Sequence, residues 1–192
     1  MSDFLQLAGV THRGSMAGKV IDAQTRQPIA FATATILSGP SAFEPRLARL
    51  ARVTTAEDGF WGFIDLPDGQ YSVHIEAPPH LHYGPVTMSF SVQQSMTKPA
   101  IELIALPPTG VRGTVQDGDS HAPLPLARVR ADGLNEIAYC DRSGQFVVTG
   151  VFPGDCKLFI GAIGYRRQTV SASLVIGNIV ELGTIFLEPN GA

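Results

Sequence analysis

Apolar and polar residues alternate with a period of two over several short stretches of the chain. In residues 71–77 an apolar side chain occupies every second position, and residues 156–162 repeat this arrangement. Successive side chains of a strand point to opposite faces of a sheet, so the pattern predicts strands with one buried face. No segment sustains helical periodicity. The best helix candidate, within residues 43–52, has about seven residues after its proline, which is too short to be stable alone.

The strand pattern occurs twice along the chain. Gly-Lys-Val-Ile-Asp at residues 18–22 is followed by Pro28, and Gly-Thr-Val-Gln-Asp at residues 113–117 is followed by Pro123. Each copy continues into a glycine turn, an alternating strand and a final apolar strand that ends before proline. The repeated positions are turn and core residues. The chain is therefore predicted to be a tandem duplication, which favours a structural protein over an enzyme.

The duplication defines the expected domains. They are an N-terminal arm at 1–15, a first β-sandwich at 16–106, a short proline linker at 107–109 and a second β-sandwich at 110–189. The spacing between equivalent glycines falls from 95 at Gly18 and Gly113 to 85 at Gly59 and Gly144, so the first copy carries ten additional residues. The arm and this insertion have no counterpart in the second copy.

Composition narrows the possible partners. Fourteen Lys and Arg residues stand against seventeen Asp and Glu residues, and a net charge of −3 gives no overall field that would attract nucleic acid or an anionic membrane. The first residues lack the basic start and long apolar stretch of a signal peptide, and no run of about 18 apolar residues occurs. We expect synthesis in the cytoplasm without a signal peptide, and a place in an assembled or released particle.

Two cysteines, Cys140 and Cys156, lie in the second copy and have no equivalents in the first. They do not form the spacing of a disulfide framework. Cys156 stands at a strand position and is expected to be a small buried hydrophobic residue. A bridge between the two cysteines is the alternative.

The motif order resembles that of a known family. Gly-x-Val-x-Asp, Pro-Ile or Pro-Leu, an Asp-Gly or Ser-Gly turn, and Leu-Pro-x-Gly-x-Tyr are similar to the carboxypeptidase regulatory-like domain. The resemblance covers roughly residues 16–106 and 110–188, and the first copy has more of the motif, since Ser143 and Cys156 depart from it in the second. It implies an all-β protein of two tandem seven-stranded Greek-key β-sandwiches of transthyretin-like fold. It also implies non-catalytic spacer, adhesion or docking modules.

His80 and His82 form the nearest approach to a metal motif. Alternate residues of an extended segment project to one side, and with His74 upstream two or three imidazoles could bind zinc or nickel. The prolines before the pair and Gly84 after it indicate a loop. We expect solvated loop histidines beside a packed Tyr83, and we predict no metal and no cofactor.

Two further patterns have a structural and a functional interpretation. Arg46, Arg49 and Arg52 recur every third residue in the insertion, so a helix there would carry one basic edge for an acidic partner. A solvated loop is the alternative. Asp22 and Asp117 are a repeated carboxylate, and an Asp that precedes a turn is typical of a cap.

These patterns favour a non-catalytic structural or adaptor protein that docks into a larger assembly, such as a phage-tail-like or contractile secretion particle. Its partners are expected to be proteins, in a homo-oligomer or a multi-subunit particle, without nucleic-acid binding or membrane insertion. One alternative is a carbohydrate or cell-surface ligand-binding module, and another is a metal-dependent enzyme on a transthyretin-like fold. The candidate interaction residues are Phe4, Leu5, Leu7, Arg46, Arg49, Arg52, His80, His82 and Tyr83.

Overall fold

The computed structural model describes residues 14–40, 52–94 and 101–191. The chain forms two compact units. The first consists of Met1–Pro78 and Pro85–Leu106, and the second of Pro79–Gly84 and Pro107–Ala192. A short segment between two strands of the first unit therefore belongs to the second.

The described part of the first unit contains two β-sheets. Its seven strands are β1 (Met16–Asp22), β2 (Thr33–Ser38), β3 (Arg52–Thr54), β4 (Phe60–Phe63), β5 (Gly69–Glu76), β6 (Val86–Val92) and β7 (Ile101–Leu106). One sheet has the order β4-β1-β7 and the other β3-β2-β5-β6. β1 and β7 are parallel, and the other pairs are antiparallel.

The second unit repeats this topology. Its seven described strands are β8 (Gly110–Asp117), β9 (Arg128–Ala131), β10 (Ala138–Tyr139), β11 (Gln145–Thr149), β12 (Gly154–Gly161), β13 (Gln168–Leu174) and β14 (Ile179–Leu187). The sheets have the orders β11-β8-β14 and β10-β9-β12-β13, with β8 and β14 parallel. Adding seven to each strand number of the first unit gives the second. The predicted pair of seven-stranded transthyretin-like Greek-key sandwiches is confirmed.

The alternating residues form the two cores as predicted. Tyr71, Val73 and Ile75 are at most 1% exposed, and Leu158 and Ile160 are buried at the equivalent strand of the second unit. The buried Tyr71 hydroxyl donates to the backbone oxygen of a proline at 2.8 Å, so its polar end is satisfied. Burial of these apolar side chains is the main force that holds each sandwich together.

Both cysteines are free thiols buried in the second core, so the bridge does not form and the prediction for Cys156 is confirmed. Burial raises the pKa of the Cys140 thiol to about 11. Burial also raises the pKa of Cys156. Desolvation disfavours the charged thiolate, which makes both residues hydrophobic packing groups at neutral pH.

The repeated glycine that opens each copy makes room for an aromatic ring. Gly18 lies opposite Trp61 in the sheet, and a Cβ atom on Gly18 would lie 2.8 Å from the indole Nε1. Gly113 lies opposite Phe146, and its Cβ would lie 3.2 Å from that ring. The valine two residues later is fully buried in both copies. The motif therefore specifies packing.

Candidate functional site

The repeated aspartate of the second copy is occupied by its own turn. Asp117 Oδ1 accepts hydrogen bonds from the backbone N–H of Ser120 at 2.7 Å and of Asp119 at 2.8 Å. Oδ2 accepts a hydrogen bond from the hydroxyl group of Tyr165. The Ser120 amide and the Tyr165 hydroxyl are the main causes that lower the pKa of Asp117 to about 2. The same hydrogen bond raises the pKa of Tyr165.

The first copy has the same turn. Asp22 Oδ1 accepts the backbone N–H of Gln24 at 2.6 Å and of Thr25 at 2.8 Å. A carboxylate that takes two consecutive amides in this way is an Asx turn, which fixes the reversal after the first strand. The prediction that the repeated aspartates are caps is confirmed.

The candidate loop around His80 and His82 is part of the second unit. Residues Pro79–Leu81 form one 3-10 turn, and His80 is exposed. His82 is only 9% exposed, has a φ of 54°, and its ring centroid lies 4.2 Å from that of Phe152. The expectation of solvated histidines is therefore wrong for His82, because its ring packs against an aromatic side chain distant in sequence.

The other residues of this candidate site are also held by the fold. Tyr83 is half-buried and forms an isolated antiparallel bridge with Pro108. His74 lies on β5, where its Nδ1 is 3.0 Å from Thr87 Oγ1. Within the described ranges, no group of three or more His, Cys, Asp or Glu residues could hold a metal ion.

Residues 107–109, expected as a linker, lie within the second unit. Thr109 is fully buried, and its Oγ1 accepts the backbone N–H of Gly177 at 2.7 Å. Its own N–H donates to the carbonyl oxygen of His82 at 2.9 Å, and its carbonyl oxygen accepts from Val151 at 3.2 Å. The loop and these residues therefore form one hydrogen-bonded cluster.

Two of these contacts recur at the end of the second copy. Tyr165 forms a bridge with Pro189, and the N–H of Asn190 donates to the carbonyl oxygen of Gly164 at 2.8 Å. Gly164 has a φ of 85° and takes the place of His82. In this copy the left-handed position is occupied by the residue type that adopts it without strain.

The arginine pattern of the insertion is only partly described. Arg52 is the first residue of β3, and its Nη2 lies 3.7 Å from Glu76 Oε1 and 3.3 Å from Thr33 Oγ1. Because Arg52 lies on a strand, it does not extend a helical basic edge. The remaining candidate residues, Phe4, Leu5, Leu7, Arg46 and Arg49, lie outside the described residues.

A different group of cations lies on the outer face of the sheet β10-β9-β12-β13. Arg130 lies opposite Phe159, with the guanidinium carbon 5.2 Å from the ring centroid, and Arg128 lies opposite Tyr139. Gly161 lies opposite Arg128 on β12. The side-chain stem of Arg167 lies beside this glycine, 3.2 Å from the position that a Cβ atom on Gly161 would occupy. We call the three arginines, together with Phe159 and Tyr139, the Arg–aromatic face.

The Arg–aromatic face escaped prediction from sequence, although a signal for it existed. Arg128 and Arg130 occupy alternate positions of one strand and therefore share a face. The equivalent positions in the first copy are Thr33 and Thr35, and the equivalent of Phe159 is His74. A position-by-position comparison of the two copies would have shown that cations and an aromatic ring replace uncharged or weakly basic groups.

A comparison with known protein families finds one match, which lies in the second copy. Residues 110–188 match the carboxypeptidase regulatory-like domain. The resemblance expected from the motif is confirmed for this copy, although the first copy carries more of the motif letters. No curated protein matches the chain.

Several solved structures are similar to it. The shaft pilin SpaA of Lactobacillus rhamnosus GG is 12% identical with a TM-score of 0.44, over 95% of this chain and 99% of the pilin chain. The Streptococcal ancillary pilin is 17% identical with a TM-score of 0.40, over 93% of this chain and 63% of that one. The Bacillus anthracis TIE protein is 16% identical with a TM-score of 0.43, over 93% of this chain. The match spans only 34% of the TIE protein chain.

No helix among the described residues is long and apolar enough to cross a membrane.

Proposed function

We propose that this chain is a non-catalytic structural or adaptor protein that docks into a larger assembly through protein partners. The observation that carries the proposal is that the aspartate repeated in both copies stabilises its own turn. Both oxygens of Asp117 are engaged by turn amides and by Tyr165, and Asp22 caps the equivalent turn. The chemistry common to both copies is therefore the chemistry of folding, and differences between their surfaces are the place to seek function.

The surface of the second domain supports docking. Tyr139 and Phe159 are exposed on one outer sheet face, and Leu126 is 73% exposed nearby in sequence. Aromatic residues and arginine are enriched at protein interfaces. The described strands β10 and β13 are the outer strands of their sheet, and outer strands are available for pairing with a strand of a partner.

A carbohydrate-binding module would need an aromatic platform with polar neighbours, and Tyr83 beside His80 and His82 is one such combination in the sequence. His82 packs against Phe152, and Tyr83 is half-buried against Pro108. A sugar ring needs the face of an exposed aromatic side chain with polar neighbours. These contacts favour a structural role for the loop over a sugar-binding role.

The finer proposal is that the assembly is a phage-tail-like or contractile secretion particle. It is supported by the N-terminal residues Phe4, Leu5 and Leu7, whose apolar side chains would gain from burial against a partner. On this proposal the protein is part of an assembled or released particle.

Sedimentation of the full-length protein from its native cells tests the proposal. Mild crosslinking followed by high-speed centrifugation is expected to place the protein in a fast-sedimenting fraction, and deletion of residues 1–15 is expected to reduce that fraction. Glu57→Ala, at an exposed position outside the candidate interaction residues, is the control. Electron microscopy of the pellet identifies the particle. A protein that remains free in every condition, with or without residues 1–15, would contradict the proposal.

A further inference from the structure

We propose that the Arg–aromatic face of the second domain binds an extended acidic segment of a protein partner. This inference rests on the proposed function, because a docking face requires a protein partner. It deepens that function by naming the surface and the chemistry of the segment that the surface recognises.

The guanidinium groups of the Arg–aromatic face are available for a partner. Three other arginines, Arg52, Arg112 and Arg166, each form an ion pair with a glutamate. In the described part of the chain, no carboxylate forms such a pair with the arginines of the Arg–aromatic face, and all three are exposed. Cations that form no ion pair within the fold are complementary to carboxylates from outside.

The spacing of these cations matches an extended segment. Arg128 and Arg130 are two residues apart on one strand, which separates them by about 7 Å along the strand. Acidic residues at alternate positions of an extended peptide have the same separation. Farther along the same face lie Asp132, Asp155 and Lys157, which together carry a negative charge. The positive end of the Arg–aromatic face is therefore at Arg128. This charge gradient would set the direction of the bound segment.

The aromatic rings add apolar contact area and fix one guanidinium. Tyr139 is 54% exposed and Phe159 is 36% exposed, so both have surface left for a partner. Arg130 lies over the Phe159 ring at 5.2 Å, which orders its side chain before binding. Ordered arginines beside aromatic rings are typical of the residues that dominate interface energy.

The first copy provides an internal comparison on the same sheet. Thr33 and Thr35 stand at the positions of Arg128 and Arg130, and Arg52, which lies on the neighbouring strand of that sheet, is paired with Glu76. The cation cluster is therefore not needed to build this fold. The net charge of −3 and the small number of cations favour an acidic protein segment over a nucleic acid, which requires many phosphate contacts.

A peptide titration of the full-length protein tests this inference. The probe is a fluorescent peptide of alternating Thr and Glu, and the control probe has Gln in place of each Glu. Arg128→Thr with Arg130→Thr introduces the residues of the first copy, so the double variant is compatible with the strand. Arg112→Gln with Arg166→Gln removes the same charge from paired sites and is the matched control. Far-UV circular dichroism checks that every variant is folded.

The acidic peptide is expected to bind the wild-type protein, more weakly at high salt, and the Gln peptide is expected not to bind. Binding should weaken about tenfold in the Arg128→Thr, Arg130→Thr variant, the loss expected for two exposed charge pairs, and little in the control variant. Equal binding by both variants, equal binding of the Gln peptide, or tighter binding of oligothymidylate would overturn the inference.

Pull-down of crosslinked partners from native cells separates the two proposals. Partners captured equally by the wild type and the Arg128→Thr, Arg130→Thr variant would contradict the inference and leave the adaptor function standing. Arg-dependent peptide binding by a protein that captures no partner would contradict the adaptor function and support the face as a binding site for acidic segments.

Discussion

Replacing His82 by alanine and, separately, by glycine tests whether this residue is a structural part of the second domain. His82 is 9% exposed, and its φ of 54° lies in the left-handed region. Alanine removes the imidazole and retains a Cβ atom in this backbone conformation. Glycine removes the imidazole and the Cβ atom together, as at Gly164 in the second copy.

The expected magnitudes follow from the contacts of His82. Loss of the ring that packs 4.2 Å from the Phe152 ring should lower the free energy of unfolding by about 1–2 kcal/mol. The left-handed conformation costs about 1–2 kcal/mol for an L-residue, and the greater freedom of glycine in the unfolded chain offsets about 0.5–1 kcal/mol of that. His82→Gly should therefore be more stable than His82→Ala by about 0.5–1 kcal/mol.

Urea titration followed by two signals measures these differences. Far-UV circular dichroism reports both domains, and the fluorescence of Trp61, the single tryptophan of the chain, reports the first domain. The exposed His80 provides the control, and His80→Ala should change the unfolding free energy by less than about 0.5 kcal/mol.

Two results would refute this reasoning. One is a His82→Gly variant no more stable than His82→Ala, because glycine is the more destabilising of the two at any ordinary backbone conformation. The other is stabilisation by zinc that both His80→Ala and His82→Ala abolish, which would restore the metal-site interpretation.

Three further outcomes are expected. The pKa of Asp117 is about 2, below its ordinary value of 3.8, so the unfolded state binds more protons between these values, and the stabilisation present above about pH 4 is lost as pH falls through about 2. Asp117→Asn should flatten that part of a plot of urea midpoint against pH, and an unchanged plot would contradict the argument. Gly18→Ala should destabilise by about 1–3 kcal/mol in thermal unfolding, because the new Cβ would lie 2.8 Å from Trp61 Nε1. Gly161→Ala, which meets only the flexible stem of an arginine, should remain within about 0.5 kcal/mol. The Cys140 thiol, whose pKa burial raises to about 11, should react with a disulfide reagent at pH 8 only when urea unfolds the domain, and rapid labelling of the native protein would contradict its burial.

The parts of the structure set by local sequence were predictable. Alternation placed Tyr71 and Leu158 in the cores, and the Asp before each turn identified Asp22 and Asp117 as caps. These features depend on side-chain direction and on hydrogen bonds within a few residues. A single sequence contains both kinds of information.

The remaining features depend on contacts between distant segments. The sequence around His82 showed a loop, and nothing in it indicated that Phe152, seventy residues later, would cover the ring. Alternation placed Arg128 and Arg130 on one face, but the register between β9 and β12, which the sequence does not contain, makes Phe159 their neighbour. The sequence therefore predicted the loop around His82 correctly but wrongly predicted that the His82 ring would be exposed to solvent.

The membership of Pro79–Gly84 in the second unit has a consequence for synthesis. These residues leave the ribosome before residues 107–191 have been made, and domains fold in order from the N-terminus. During that interval His82 has no Phe152 ring to pack against, and its carbonyl oxygen lacks the N–H of Thr109. The segment can reach its native conformation only after translation of the second domain. A ribosome stalled when β7 has emerged from its exit tunnel, and before Phe152 has been made, should therefore hold a first domain whose loop is accessible to protease.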